Sequence, residues 1–478
     1  MSEENKYNYL LKNIGLMTLS NFATKLLSFF LVPLYTSVLT TAEYGTYDLI
    51  NTTISILIPI VTFNIYDAVF RFMMEKDRNA DAVLTISFRL VLFGTLCVSG
   101  FVVLNHFFYL VPVIDTYALY FILMFISQAA SGILAGYARG ADHIADLSLS
   151  SVVTSFITIT LNILFLAVMK FGIKGYFWAN ILGPSVQCAY LFFRLRIWKY
   201  LHIRKKYLEE RKKMLTYSIP LVANAIAWWV NNASDRYVVT WFRGLSENGI
   251  YSVASKIPSI LNILQTIFVQ AWAISVVKDY DPEDRSGFFK NTYGLYNCVM
   301  VVGCSITILF DRMLARLLYA NEFYVAWRYV PFLTIAIVFG ALSGYLGGFF
   351  SAVKNSKIFA RSTVLGAVFN LALNIILTPW IGALGAAIAT AVSYFVVWGL
   401  RLYHSRKFIR LKISLKRDLL AYSILALQAV ILLCATKRLF FLYGIETILT
   451  LINICLYRNE FIKIIIAASK KMRGGKVR

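Results

Sequence analysis

Charge is what this sequence has least of. Asp, Glu, Lys and Arg together make up 15% of its 478 residues, against 59% hydrophobic ones. That is too little to clothe a water-soluble fold of this size, so lipid must be the main solvent. Acidic groups are scarcer still, with 24 Asp and Glu against 47 Lys and Arg. The six cysteines, at 97, 188, 298, 304, 434 and 455, show no CxxC spacing and fall within apolar stretches. A disulfide framework and a zinc site are both excluded on that pattern. His106, His143, His202 and His404 stand singly. No GxxxxGK[ST], HExxH or GxSxG occurs, and no hydrophilic connection is long enough for a nucleotide-binding domain. Transport driven by this chain's own ATP hydrolysis is thereby excluded, and no cofactor is expected. The acidic start at Glu3 and Glu4, followed by a long apolar run, does not read as a cleavable signal peptide.

What the chain does have is helix-length apolar runs. They extend for about 20 residues or more between charged or Gly/Pro-marked turns, the length a bilayer-spanning helix needs. The shorter alternating segments of a membrane β-barrel do not occur. The predicted fold is all-α and integral to the membrane, with about 14 spans. Six spans fall in a lobe over residues 1–197, six in a second lobe over 215–404, and two extra helices with a basic tail in 419–478. Basic connections at 198–214 and 405–418 separate them.

The lobes carry internal echoes. Glu43-Tyr44-Gly45-Thr46-Tyr47 returns 204 positions later as Glu247-Asn248-Gly249-Ile250-Tyr251. Leu161-Asn162-Ile163 with Gly172 and Gly175 returns as Leu373-Asn374-Ile375 with Gly382 and Gly385. Six spans, an even number, separate the copies, so the halves are parallel repeats about an axis along the membrane normal. Lys and Arg concentrate in the two tails and the even-numbered connections, which places both termini in the cytoplasm. The same topology accounts for most of the net charge of +23, and no basic soluble domain exists to hold nucleic acid. The connection at 198–214, with His202, Arg204, Lys205, Lys206, Arg211, Lys212 and Lys213, reads as a positive-inside linker on anionic lipid; docking of an anionic headgroup or a partner enzyme is the alternative.

Several spans bear polar stripes at helical spacing. Thr18, Asn21, Lys25 and Ser28 share one face of the first span; Asn224, Trp228, Asn231 and Asp235, with Arg236 beside them, share a face of the seventh. Ser252, Ser255, Ser259, Asn262, Thr266 and Gln270 line the eighth, with Lys256 at its edge. Stripes in the fifth and eleventh spans, including Asn162, Asn370 and Asn374, fit interhelical packing, where a hydrogen bond contributes about 0.6 kcal/mol on average. A lone cation at mid-bilayer costs about 2.5–3.5 kcal/mol, so Lys25 and Lys256 need a counter-ion, water or substrate. Asp67 and Arg71 could pair at i,i+4, Arg89 could snorkel, and Asp235 could neutralise Arg236. If these local explanations fail, the cavity between the lobes is cationic and its cargo anionic.

Asp235-Arg236, Gly249-Ile250-Tyr251-Ser252-Val253-Ala254-Ser255-Lys256-Ile257, and Phe30-Leu31-Val32-Pro33-Leu34-Tyr35 before Glu43-Tyr44-Gly45 resemble the polysaccharide biosynthesis branch of the multidrug/oligosaccharidyl-lipid/polysaccharide (MOP) exporter superfamily. The likeness extends along essentially the whole chain. It implies a MATE-like Wzx-type flippase, not an enzyme. Such a protein moves an undecaprenyl-pyrophosphate-linked oligosaccharide from the inner to the outer leaflet of the bacterial cytoplasmic membrane by alternating access. On that resemblance Lys25, Arg236 and Lys256 meet pyrophosphate or acidic sugar, Arg71 and Arg89 help load it, and Asn21, Asn224, Asn231, Asn262 and Trp228 contact the sugar. Asp67 or Asp235 couples a proton or sodium ion, unless membrane potential drives the cargo directly. Polysaccharide polymerase and chain-length machinery are the implied partners besides membrane lipids. A cation-coupled drug exporter or a lipid II-type flippase of the same fold, and a membrane-embedded polymerase or transferase from another class, are the alternatives.

Overall fold

The computed structural model describes residues 29–462 except 76, 203, 354 and 435–438. Every regular element among the described residues is helical. The chain divides into two compact units, 1–234 and 235–478. Nine helices among the described residues are long and apolar enough to cross a membrane, or ten if one bent pair counts as a span. The first predicted span lies largely outside the described residues.

In the first unit, α1 (Val32–Val38) and α2 (Thr41–Val61) are followed by α3 (Ile65–Met73), bent by 60° from α2. Phe63 and Asn64, both with positive φ, make that bend. Next come α4 (Ala80–Phe108), α5 (Ala118–Gly140), α6 (Ile144–Asn162, continued by a π turn to Val168) and α7 (Gly172–Arg194). A single helical run, α8 (Leu208–Ala254), is broken at Gly244, whose φ of 85° leaves the helical region. The boundary between the units falls inside it.

The second unit continues with α9 (Ser259–Lys278), α10 (Phe288–Leu318), α11 (Val330–Ala352), α12 (Ser356–Ile381) and α13 (Ala383–Ser405). The two unrepeated helices are α14 (Leu415–Cys434) and α15 (Leu439–Leu456). In this unit the aromatic core centres on Trp272 and Tyr345, stacked at 4.1 Å, with the Trp272 indole donating to the Tyr345 carbonyl.

The repeated motifs have a shared local cause. Thr40 and Glu43 form a reciprocal capping box at the start of α2, the Glu43 amide donating to Thr40 Oγ1 at 3.2 Å and the Thr40 amide to Glu43 Oε2 at 2.9 Å. The same Glu43 carboxylate lies 3.7 Å from where a side chain on Gly172 would begin. In the second unit Glu247 accepts from the Ala383 amide at 2.7 Å, over the N-terminus of α13. Gly382, with φ of 64°, lies so close to Glu247 that a Cβ there would collide with the carboxylate. The Glu of one motif thus meets the Gly of the other in each unit.

Candidate functional site

The seventh predicted stripe ends on Asp235, and there the structure builds a site. Asp235 is buried at 6% exposure. Its Oδ2 accepts from Tyr251 Oη and Thr390 Oγ1, both at 2.8 Å, and its Oδ1 accepts from Asn374 Nδ2 at 3.0 Å. Asn374 Nδ2 also donates to Asn370 Oδ1 at 2.9 Å, and Asn370 Nδ2 donates to Thr390 Oγ1 at 3.2 Å. Four stretches of chain, from α8 on both sides of Gly244, α12 and α13, converge on one carboxylate. A charge taken this far from water needs such donors. Two buried oxygens in the same seam, Asn374 Oδ1 and Thr378 Oγ1, have no hydrogen-bond partner among the described residues. Thr378 follows Asn374 by one helical turn, on the same face of α12.

Sequence periodicity found Asp235 but not its companions. Asn370 and Asn374 read as packing amides, Tyr251 as part of a repeated motif, and Thr390 did not stand out. The repeated Leu-Asn-Ile was the available signal, and it pointed at Asn374.

The other expected residues are distributed more widely. Arg236 Nε donates to Ser252 Oγ at 3.3 Å. Lys256 is half-buried in the turn between α8 and α9, so the eighth predicted span is interrupted there. Asn224, Asn262 and Trp228 are exposed. Asn231 donates to the Ala227 carbonyl of its own helix, and Trp229 rather than Trp228 is tied into the first unit, its indole donating to the Thr52 carbonyl at 3.0 Å. Asn21 and Lys25 lie outside the described residues.

Two local readings need correction. Arg71 pairs with Glu75 at 3.3 Å, not with Asp67, because Asp67 is occupied by Asn64 Nδ2 at 2.7 Å in the bend before α3. Arg89 does not snorkel free: its guanidinium donates to the carbonyls of His202 and Lys205, at 3.3 and 2.8 Å. One turn earlier Thr85 accepts from the His202 amide, and two turns earlier Asp81 meets His202 Nε2 at 2.9 Å. Asp81, Thr85 and Arg89, four apart on α4, thus strap the start of the basic connection onto the first unit.

A family model described as polysaccharide biosynthesis protein matches residues 10–274, more than half of the chain. The chain belongs to that family. It is similar to the probable low-salt glycan biosynthesis flippase Agl15 of Haloferax volcanii, at 22% identity over 215 residues, 44% of this chain and 45% of that protein. The chain spans about half the length of the curated relatives it matches. Among solved structures it resembles lipid II flippase MurJ in an inward closed conformation, with a TM-score of 0.68 and 14% identity over 94% of this chain and 99% of the other. It also resembles an inward-facing multidrug resistance MATE family transporter of the MOP superfamily, with a TM-score of 0.61 and 13% identity over 82% of this chain and 95% of the other. The fold of this polysaccharide biosynthesis protein is that of the MOP superfamily, and it is a multi-pass membrane fold.

Proposed function

We propose that this member of the family is a flippase for a polyprenyl-pyrophosphate-linked oligosaccharide, undecaprenyl-linked in a bacterial cytoplasmic membrane, delivered from the inner to the outer leaflet for surface polysaccharide assembly. One observation carries the choice among MOP-type cargoes. The lipid II flippase aligns with 94% of the chain, whereas the multidrug MATE structure leaves 18% of it unmatched. A chain built to the length of a lipid-linked sugar carrier fits that cargo better than a drug exporter. The physics of the cargo agrees. Sugars and pyrophosphate cannot enter hydrocarbon without a hydrated, polar path, while the polyprenyl tail stays in lipid.

In this reading the cationic groups Lys25, Arg236 and Lys256 receive the pyrophosphate or acidic sugar, with Arg71 assisting entry and Asn21, Asn224, Asn231, Asn262 and Trp228 meeting the sugar. Arg89 serves instead to hold the basic connection. The Asp235 cluster binds the coupling cation: its carboxylate, Thr390 Oγ1, Asn374 Oδ1 and Thr378 Oγ1 are hard oxygen donors suited to sodium, and the carboxylate alone suffices for a proton. Asp67, half-exposed and held by Asn64, is the weaker coupling site. Both termini lie in the cytoplasm, and polymerase and chain-length proteins take up the delivered unit.

Deleting the gene and measuring lipid-linked oligosaccharide in each leaflet tests the proposal. Complete repeat units should accumulate on the inner leaflet and be cleared by wild type but not by Asp235→Asn. Truncated repeat units would point to a transferase, and normal outer-leaflet delivery to a different cargo.

A further inference from the structure

The helices without a repeat partner, α14 and α15, are joined to α10 by a buried polar seam. At one end Asn297 Nδ2 donates to Tyr457 Oη at 2.9 Å, and Tyr457 Oη donates to Asp418 Oδ1 at 2.9 Å. Asp418 also pairs with Arg417 at 3.1 Å, and Arg417 reaches Glu460 at 2.7 Å. Midway, Ser305 Oγ donates to Gln428 Oε1 at 2.7 Å, and Gln428 Nε2 donates to Glu446 Oε2 at 2.9 Å and Thr450 Oγ1 at 3.2 Å. At the far end Arg312 donates to the Leu432 carbonyl at 2.8 Å and stacks on Trp327 at 4.3 Å.

The carboxyls at the two ends are treated differently. Asp418 and Glu460 have cationic and hydroxyl donors. Asp311 has none: it is 0% exposed, and neither of its oxygens has a hydrogen-bond partner among the described residues. Glu446, also 0% exposed and within electrostatic reach of Asp311, leaves Oε1 in the same condition. Arg312, the adjacent residue of α10 and about 100° further round the helix, lies within electrostatic reach of Asp311 but makes no hydrogen bond to it, its guanidinium donating to the Leu432 carbonyl and stacking on Trp327. Among the described residues the other charged groups nearby, Arg316 of α10 and Glu322 and Arg328 of the Asn321–Arg328 turn, are exposed, and α14 presents the neutral Gln428; Lys437 and Arg438 lie outside the described residues. Two carboxylates closed off together, one without any donor, carry an electrostatic cost that a bound cation would remove. A metal ion would need a shell of oxygens, and Ile308 and Ala315, on the same face of α10 as Asp311, are apolar. A proton needs no such shell.

We propose that Asp311 and Glu446 form a proton-binding site in the seam that joins α14 and α15 to the second unit, separate from the Asp235 cluster. Loss of the proton would place unsolvated negative charge between α10 and α15 and loosen their packing.

Infrared difference spectra of the full chain in lipid nanodiscs, taken between mildly acidic and alkaline buffer in an Asp235→Asn background, test this without any transport readout. A protonated-carboxyl carbonyl band should disappear on alkalinisation, and Asp311→Asn and Glu446→Gln should each diminish it. Asp311→Asn, a neutral isostere, should fold, keep the parental melting temperature at neutral pH, and flatten its alkaline fall. A band unchanged in both variants would overturn the site. So would an Asp311→Asn protein that fails to fold or melts lower at every pH, since that would mean a charged Asp311 paired with Arg312. Displacement of the band by sodium at fixed pH would overturn it in favour of a metal cation.

Discussion

Asn162 and Asn374 hold the same place in the internal repeat, yet their side chains do different work. Both Nδ2 groups donate back one turn on their own helix, Asn162 to the Thr158 carbonyl at 2.8 Å and Asn374 to the Asn370 carbonyl at 3.1 Å, but only Asn374 also crosses to the Asp235 carboxylate. The 204-residue offset that relates Glu43 to Glu247 puts Leu31, an apolar residue, opposite Asp235. The capping elements, by contrast, recur with their chemistry intact, a Glu beside the Gly that opens a helix in each unit. The repeat thus preserves what the backbone requires and lets the buried polar chemistry diverge. One unit has a buried carboxylate held by hydroxyl and amide donors where the other has a self-bonded amide.

The sharpest way to break this asymmetry is Asp235→Asn. Coupled transport should fall by at least about tenfold, the equivalent of 1.4 kcal/mol, as read from inner-leaflet accumulation of lipid-linked units, while the protein still assembles. Asp235→Ala should in addition strand three donors and lower unfolding stability by about 1–3 kcal/mol. An Asp235→Asn protein that transports normally would remove the functional difference between the units.

Next in size is the pair Gly382→Ala and Gly172→Ala. Both residues have positive φ, 64° and 56°, so each substitution should cost about 1–3 kcal/mol in backbone strain, and Gly382, with ψ of −150°, sits in a region essentially restricted to glycine. Only at Gly382 does the new Cβ also strike the facing glutamate. Gly382→Ala should therefore melt lower than Gly172→Ala in a thermal scan, and equal losses would show that Glu247 swings aside. A smaller contrast is expected for the two asparagines. Asn162→Ala removes only a bond back to its own helix and should cost no more than about 0.6 kcal/mol, the average for a hydrogen bond between membrane helices. Asn374→Ala should cost more, because it also removes a donor from a buried carboxylate, and a double-mutant cycle with Asp235→Asn should register coupling only for Asn374.

Much of the fold was legible in the sequence because lipid imposes long apolar runs and repeats preserve caps. Nine of the described helices are long and apolar enough to cross a membrane, and the bent α2–α3 pair would make a tenth, whereas α7 and α8, which carry Lys174, Gln187 and the Asn stripe, and the shorter α15 fall outside that set. The site was legible only at its charge. Asp235 stands out as an acid in a polar stripe, but Thr390, Asn370 and Tyr251 are ordinary membrane-helix residues until three-dimensional convergence brings them together. The strap was hidden for another reason. A stretch with this many basic residues reads as solvated linker, while the groups that hold it, Asp81, Thr85 and Arg89, lie more than 100 residues earlier.

The smallest expected effect compares two connections at the same place in the repeat. Before α4 the first unit caps with a neutral side chain, Asn79 accepting from the Ala82 amide at 3.1 Å. Before α10 the second unit uses carboxylates: Asp284 accepts from the Phe289 and Lys290 amides that open the helix, and in the turn ahead of it Asp281 accepts from the Glu283 and Arg285 amides at 3.1 and 2.9 Å. These backbone donors hold the Asp281 carboxyl below its ordinary range, the Arg285 amide contributing most. A carboxyl depressed in the folded state lends its stabilisation above its unfolded value and loses it as pH falls through the folded one. Acidification below the ordinary carboxylate range should therefore loosen the 279–287 turn while leaving the Asn79 cap unchanged. Amide exchange of Glu283 and Arg285, corrected for intrinsic rates, should rise on acidification in wild type but show no such pH step in Asp281→Asn. Since Asp281 is only half-buried and its bonds stay within the 281–285 turn, the effect should stay local and leave the melting temperature of the whole chain unmoved; a parallel rise at Ala82 would mean that the two connections open for a shared reason unrelated to this carboxylate.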